Sequence, residues 1–225
     1  MKRITIILLL TSTLGFSQNL EFKPTNDDFS TEFIRLVNST RTSMYGTRTK
    51  THMNPQWKSA KYRKSRKAVK WITNSYEFNT QIDSNASSAC EHHNRYMYYL
   101  VIGEDYNPIV IDHTENIVAL GYKYKGSDTL LYDWKDRCDY YCGVDNFSTH
   151  GECIWGGHTD HSRFKDMTST ELARETYNRF MNSKKGHRDI LINDGYTDCG
   201  IRLTIDPEFK CFRITFVTGT KKAKS

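Results

Sequence analysis

The spacing of apolar residues predicts three amphipathic helices. Apolar side chains recur every three to four residues from Asp27 to Ser43, from Ser84 to Val101, and from Ser169 to the glycine at position 186. This period is typical of a helix with one buried face. The residues expected on the buried faces are Phe29, Phe33, Leu36 and Val37, then Ala86, Cys90, His93, Met97 and Leu100, and finally Leu172, Ala173, Thr176, Tyr177, Phe180 and Met181.

The third predicted helix has a signal at each end. Thr168 and Glu171 have the spacing of a capping box, so the helix should begin near Ser169. Gly186 can take the left-handed conformation that ends a helix, and the chain should turn sharply there. His187 follows this glycine directly. It either belongs to a functional site or caps the last helical carbonyls.

The C-terminal region predicts a β-hairpin. Strands from Cys199 to Ile205 and from Lys210 to Val217 would flank a four-residue loop from Asp206 to Phe209, with residue 205 opposite residue 210. In this register Cys199 and Cys211 point to opposite faces of the sheet, because side chains alternate along a strand. These two cysteines would then need other partners.

The N-terminus has the pattern of a secretory signal peptide. Residues 1–17 contain two cations, a short apolar run from Ile4 to Leu10, and small residues before a cleavage point near Ser17 and Gln18. The apolar run is too short to span a bilayer, and no transmembrane segment is predicted. Residues 18–225 are expected to form one exported domain, periplasmic or extracellular.

The cysteines predict disulfides, because an exported chain with an even number of them enters an oxidising compartment. The pairing stays open from sequence. Half of the cysteines lie between Gly121 and His161, a segment rich in Gly, Asp, Tyr and His that predicts a loop ordered by disulfides. The six cysteines are Cys90, Cys138, Cys142, Cys153, Cys199 and Cys211.

The stretch from Arg48 to Lys70 carries nine Lys and Arg and no acid. Without these nine and the two signal-peptide cations, the 32 basic residues of the chain fall to 21 against 26 acidic ones. Such a stretch binds anionic polymer, lipid headgroups or nucleic acid, or forms a solvated insertion. Export makes nucleic acid the least favoured partner. The candidate anion-binding residues are Lys58, Lys61, Arg63, Lys64, Arg66, Lys67 and Lys70.

Three polar residues are candidates for a site. His113 follows a short apolar run, Glu152 lies between a glycine and a cysteine, and His187 follows the predicted helix end. His93 falls on the apolar face of the second helix, which predicts a core histidine with a satisfied hydrogen bond. His92 points elsewhere and is not a candidate.

Taken in order, these motifs resemble the bacterial branch of the CAP superfamily, named for cysteine-rich secretory proteins, antigen 5 and pathogenesis-related proteins and also called SCP-like. The resemblance extends from about Phe33 to Val217. It implies an α+β fold, an α-β-α sandwich in which a small antiparallel sheet lies between helices and an open cleft runs over one end. The motifs are FIRLVNSTR at 33–41, the helix with Ala89 and His93, DHT at 112–114, GEC at 151–153, MNSKKGHR at 181–188 and YTDCGI at 196–201.

The resemblance also implies the site. His113 matches the first histidine of the family, Glu152 the acid of its GEN motif and His187 its second histidine. His113 and His187, with Glu152 nearby, can then hold a divalent metal such as Zn²⁺ or Mg²⁺, or exchange protons without one. Many eukaryotic members have a further glutamate where this chain has Ser183; other bacterial members also lack it, and its absence leaves a metal one ligand short. Cys153 replaces the asparagine of GEN, and residues 48–70 are an insertion.

Other functions compete with this one. A structural zinc is an alternative, although export and the even cysteine count favour disulfides. The sequence contains no G-x-S-x-G, H-E-x-x-H or phosphate-binding glycine motif. Two functions stay open: a secreted binding module for an extracellular or cell-envelope ligand, which we expect, and a metal-assisted hydrolase acting on peptide or cell-wall material. The candidate zinc ligands are Cys142, His150, Cys153, His158 and His161.

Overall fold

A computed structural model describes residues 22–45, 78–102, 113–115 and 131–222 of the chain. The predicted signal peptide and the candidate anion-binding stretch from Arg48 to Lys70 lie outside these residues. Within them, no helix combines the length and the apolar character that crossing a membrane requires.

The described part of the chain contains five α-helices and four β-strands, which makes the fold α+β as predicted. The helices and the strands alternate irregularly along the sequence. In chain order they are α1 (Asn26–Tyr45), β1 (Gln81–Ile82), α2 (Ser84–Ile102), α3 (Trp134–Cys142), β2 (Phe147–His158), α4 (Ser169–Met181), α5 (His187–Ile192), β3 (Asp198–Asp206) and β4 (Cys211–Lys221).

The three predicted helices are present as α1, α2 and α4. The capping box at the start of α4 is formed: the Glu171 backbone N–H donates to Thr168 Oγ1 at 3.3 Å, and the Thr168 N–H donates to Glu171 Oε2 at 2.8 Å. The predicted end at Gly186 is wrong, because α4 already ends at Met181 with Asn182 as its cap. Asparagine competes with helical hydrogen bonding. Gly186, at φ 89°, instead precedes the short helix α5.

The four strands form one sheet in the order β1-β3-β4-β2. β4 pairs antiparallel with both β3 and β2, whereas β1 pairs parallel with β3. The sheet is therefore mixed rather than wholly antiparallel, because β1 and β3 are joined by a long connection, as parallel pairing requires. β2 lies at one edge of the sheet.

The predicted hairpin is formed by β3 and β4, in a different register. Ile205 pairs with Phe212 rather than with residue 210. The Asp206 side chain accepts hydrogen bonds from the backbone N–H groups of Glu208 at 2.9 Å and Phe209 at 3.1 Å, and Lys210 takes a positive φ of 47°. This turn chemistry places the loop at 207–210.

The prediction of a loop from Gly121 to His161 is wrong for its described part. Asp133 caps α3 by accepting from the backbone N–H groups of Lys135 and Asp136. The twelve-residue strand β2 follows, buried from Gly151 to Gly157. Its glycines resemble loop residues in the sequence, but they permit close approach of neighbouring groups, such as Ile190 of α5 at Gly151 and the Phe212 carbonyl at Gly156.

Helices cover both faces of the sheet. On one face, Cys153, Trp155, Ile201, Leu203, Ile214 and Phe216 pack with apolar residues of α1 and α4. On the other, Asn94 of α2 donates to the Arg202 carbonyl and Thr204 Oγ1, both at 3.0 Å, and accepts from Thr215 Oγ1 at 2.7 Å. α3 packs beside α2 on this second face through Cys138. The sandwich predicted for the fold is present.

All six cysteines are free thiols, so the prediction of disulfides is wrong for this structure. Most of them act as small buried apolar residues. Cys153 and Cys199 lie in the core beneath α1 and α4, whereas Cys90 and Cys138 lie on the opposite face of the sheet. Burial raises the pKa of the Cys90 and Cys153 thiols well above the usual range.

Candidate functional site

Glu152 is held by two partners at the edge strand β2. Arg137 of α3 donates from Nη2 to Glu152 Oε1 at 2.7 Å, and Glu152 Oε2 lies 2.9 Å from His113 Nδ1. The Glu152 and Arg137 side chains are each 1 % exposed. Both oxygens of the carboxylate are therefore occupied by protein groups.

His113 lies between α3 and α5 at the surface end of this network. Its side chain is 39 % exposed, and its ring centroid lies 6.2 Å from that of Trp134 and 6.3 Å from that of His187. The structure thus brings His113, Glu152 and His187 together. We call these three residues the imidazole site.

His187 is placed by the turn that the sequence indicated. It is the first residue of α5, directly after the left-handed Gly186, and its ring packs edge-on against Phe180 at 5.3 Å. Among the described residues its imidazole makes no hydrogen bond to the last carbonyls of α4. Burial lowers the pKa of His187, and the charges of His113 and Lys185 lower it further, so the imidazole is neutral near pH 7.

A second buried carboxylate, Glu115, was missed by the sequence interpretation. Glu115 Oε1 lies 3.1 Å from His93 Nδ1 and 3.4 Å from Arg137 Nη1, and Oε2 lies 3.1 Å from His92 Nε2. The prediction of a buried, hydrogen-bonded His93 is confirmed. The prediction that His92 points elsewhere is wrong, because this residue is also buried and bonds to both Glu115 and Tyr141.

A weak signal for this cluster exists in the sequence. Glu115 stands two residues after His113, and the tandem His92 and His93 lie on a helix otherwise rich in core residues. Side chains at adjacent helical positions point about 100° apart. His92 and His93 can therefore contact the same buried group only if that group lies between the two directions. Periodicity alone does not reveal such a group, since its own position is fixed by tertiary contacts.

Glu115 and Glu152 are both ionised. Burial alone would raise the pKa of Glu115, but hydrogen bonds from His92 and His93 and the charge of Arg137 outweigh it and lower the pKa to about 2. Burial likewise opposes ionisation of Glu152, but the nearby His93 and Arg137 charges and the His113 hydrogen bond lower its pKa to about 2.

The ionised state of Glu152 determines the tautomer of His113. An ionised carboxylate only accepts hydrogen bonds, so His113 Nδ1 must carry a proton and donate it to Glu152 Oε2. When the ring is neutral, Nε2 is left as an acceptor. The imidazole site therefore offers an oriented imidazole, His113, beside the neutral imidazole of His187.

The side chains as they stand do not fit a divalent metal. Both oxygens of Glu152 are already bonded, and the permanent charge of Arg137 lies 2.7 Å from one of them. Of the described side chains at this site, the two imidazoles are left as ligands for a metal, fewer than the three or four that zinc sites use. Across the described residues, no group of three or more His, Cys, Asp or Glu side chains could hold a metal ion.

The alternative zinc ligands do not gather either. His150 and His158 lie at positions eight residues apart along β2, about 26 Å for an extended strand. Cys153 lies between them in the core beneath α1. Cys142 lies on α3, on the other side of the sheet. Among the described residues, the structure therefore does not support this alternative zinc site.

Comparisons with known proteins leave the family open. No sequence model of a known family matches the chain, and no curated protein matches it in sequence. Among solved structures, an outer surface protein from Borrelia burgdorferi superposes with a TM-score of 0.42 and 14% sequence identity, over 86% of this chain and 96% of that chain. A likeness at this level assigns neither a family nor a function.

Proposed function

We propose that the chain is an exported CAP/SCP-like binding protein whose imidazole site recognises an extracellular or cell-envelope ligand. The observation that carries this proposal is the state of Glu152, whose two oxygens are bonded to Arg137 and His113. This carboxylate orients an imidazole, and its burial at 1 % exposure shields it from a metal ion or water. The predicted signal peptide supports the location.

The exposed groups suit hydrogen-bonding recognition. His113 presents an oriented imidazole, the neutral His187 lies beside it, and Trp134 adds an aromatic ring at 6.2 Å from His113. A few oriented polar groups beside aromatic surface are typical of ligand sites. The basic stretch from Arg48 to Lys70 supplies charge for an anionic polymer or lipid headgroup, as a separate contribution to binding.

Two sets of variants test the proposal. Reversing the charge of Lys58, Lys61 and Lys64 should abolish binding to polyphosphate and to phosphatidylglycerol vesicles, measured at two salt concentrations. His187→Ala and His113→Gln should leave that binding almost intact and should remove binding to soluble peptidoglycan fragments. Equal fragment binding by wild type and both histidine variants would contradict recognition at the imidazole site.

A second function is favoured by the hydrogen bond between Glu152 and His113. A carboxylate that orients an imidazole and leaves its other nitrogen free is an arrangement that general bases use. The chain would then be a hydrolase of peptide or cell-wall material in which His113 takes a proton from water. Turnover that disappears in His113→Gln would support it. No activity on peptide and peptidoglycan panels, with or without Zn²⁺ or Mg²⁺, would exclude it.

A further inference from the structure

Glu115, two residues after His113, is held in place by contacts from two elements. Its carboxylate contacts His92 and His93 at 3.1 Å and accepts from the Leu131 backbone N–H at 3.2 Å. Its own N–H donates to the Tyr132 carbonyl at 2.9 Å. Helix α2 and the chain before α3 therefore hold Glu115 from both sides, two residues from the histidine.

Arg137 holds His113 from two directions through a single nitrogen. Nη2 donates to the backbone carbonyl of His113 at 3.3 Å and to Glu152 Oε1 at 2.7 Å. The other oxygen of Glu152 contacts the His113 ring at 2.9 Å. These contacts form a closed loop that begins and ends at His113. The loop runs from the His113 carbonyl through the Arg137 guanidinium and the Glu152 carboxylate to the His113 imidazole.

The other terminal nitrogen of the guanidinium, Nη1, connects this loop to Glu115. Arg137 Nη1 lies 3.4 Å from Glu115 Oε1 and donates to the Leu131 carbonyl at 3.3 Å. The Arg137 and Glu115 side chains are 1 % and 0 % exposed. Water does not compete for these contacts, and the planar fork of arginine meets both carboxylates in fixed directions.

We propose that Glu115 and Arg137 are positioning residues that fix the backbone and the ring of His113 in the imidazole site, with His92 and His93 as the anchors of Glu115. This inference rests on the proposed function only for the reason why His113 is oriented, which is ligand recognition. Whether Glu115 and Arg137 orient the ring can be tested without any ligand.

The test uses the tautomer of His113 in the full exported chain. Histidine is labelled with ¹⁵N, the His113 signals are assigned with His113→Gln, and the tautomer is read at fixed pH together with ring contacts to Trp134. In Arg137→Lys, which keeps the charge but loses the fork, the ring should shift from the Nδ1-protonated tautomer to a mixture and should lose its contacts to Trp134. Glu115→Gln, nearly the same in shape, should shift the tautomer in the same direction.

Arg41→Lys is the matched control. Arg41 is also 1 % exposed, but its guanidinium contacts Thr80 and the Tyr196 carbonyl instead. This variant should lower the melting temperature and leave the His113 signals unchanged. An unchanged tautomer in folded Arg137→Lys and Glu115→Gln, or an equal change in Arg41→Lys, overturns the inference. If Arg137→Lys does not fold, Glu115→Gln decides.

Binding of soluble peptidoglycan fragments separates this inference from the proposed function. A displaced ring with a loss of affinity of about 10- to 100-fold, the usual effect of removing a supporting partner, supports both. A displaced ring with unchanged fragment affinity supports the positioning role and excludes recognition through His113. A fixed ring overturns the positioning role, whatever the affinity.

Discussion

Arg137 and Glu152 form an ion pair of 2.7 Å in which neither side chain exceeds 1 % exposure. Removing one partner of such a pair leaves a buried charge without compensation, at a typical cost of about 3–5 kcal/mol. Replacing a whole buried pair with apolar residues is often neutral, so the pair is weak evidence for stability. Its contacts to His113 give it a local purpose, which is to orient an imidazole that is 39 % exposed.

The buried carboxylates should make stability depend on acid pH. The folded pKa of Glu115 is about 2, below its ordinary value of 4.5. A depressed carboxyl pKa stabilises the fold fully above the unfolded value, and this stabilisation is lost as the pH falls from about 4.5 towards 2. We expect Glu115→Gln to lower the free energy of unfolding at pH 7, by at most on the order of 3 kcal/mol, and to flatten its decline below about pH 5.

Urea unfolding at a series of pH values measures this effect. Glu208→Gln is the control, because Glu208 is exposed in the loop between β3 and β4. Glu208→Gln should change neither the free energy of unfolding at pH 7 nor the slope with which this free energy falls in acid. An equally steep acid slope in Glu115→Gln and wild type would assign the pH dependence to other groups.

The thiols should react in an order set by burial. Cys142 is only partly buried, and a hydrogen bond with Cys138 lowers its pKa. Burial raises the pKa of the Cys199 thiol and raises that of Cys211 to about 11. Because the thiolate is the reacting species, a maleimide should label Cys142 first in the folded protein.

Mass spectrometry after labelling counts the cysteines that have reacted with maleimide. Cys142→Ser should remove the fast modification. In denaturant without reductant, all six cysteines should react, since each is a free thiol. A smaller number in the unreduced protein would mean that disulfides form after all.

Local signals in the sequence predicted the helices well. The capping box at Thr168 and the apolar stripes of α1 and α2 depend on residues three or four positions apart, so each signal is complete within its own helix. The strand β2 was missed because its residues from 151 to 157 are buried on both faces. Such a strand lacks alternation, and its glycines resemble a loop.

The site was only partly predictable for a related reason. His113, Glu152 and His187 were found through the resemblance to a family, and the structure brings these three together. Arg137 and Glu115 were not found, because each is explained only by its contacts across the fold. A buried arginine has no sequence signature that separates it from a surface arginine on an amphipathic helix.

The capping box should contribute measurably to the stability of the fold. Thr168→Ala removes the acceptor for the Glu171 backbone N–H at the start of α4. We expect a loss of about 1 kcal/mol in the free energy of unfolding, as for other N-cap residues. Thr168→Ser keeps the acceptor and should retain most of the stability in the same urea experiment. An equal loss in both variants would mean that the threonine methyl group, rather than the cap, matters.

The distance between β2 and α5 should be set by the absence of a side chain at position 151. A Cβ at Gly151 would lie 2.9 Å from both Cδ1 and Cγ1 of Ile190, three residues after His187 on α5. Gly151→Ala should therefore push α5 outward, destabilise the fold and alter the contact between the His113 and His187 rings. Ile190→Ala removes the clashing atoms at the cost of a small cavity.

A double-mutant cycle measures this relationship. If the clash is the cause, Gly151→Ala should cost less in the Ile190→Ala background than in wild type, with a coupling of about 0.5–3 kcal/mol between the two sites. Gly195→Ala serves as the control, because a Cβ there would meet only the Asn193 side chain. Additive effects of Gly151→Ala and Ile190→Ala would show that some other contact sets the position of α5. In that case the ring of His187 should also keep its wild-type contacts in Gly151→Ala.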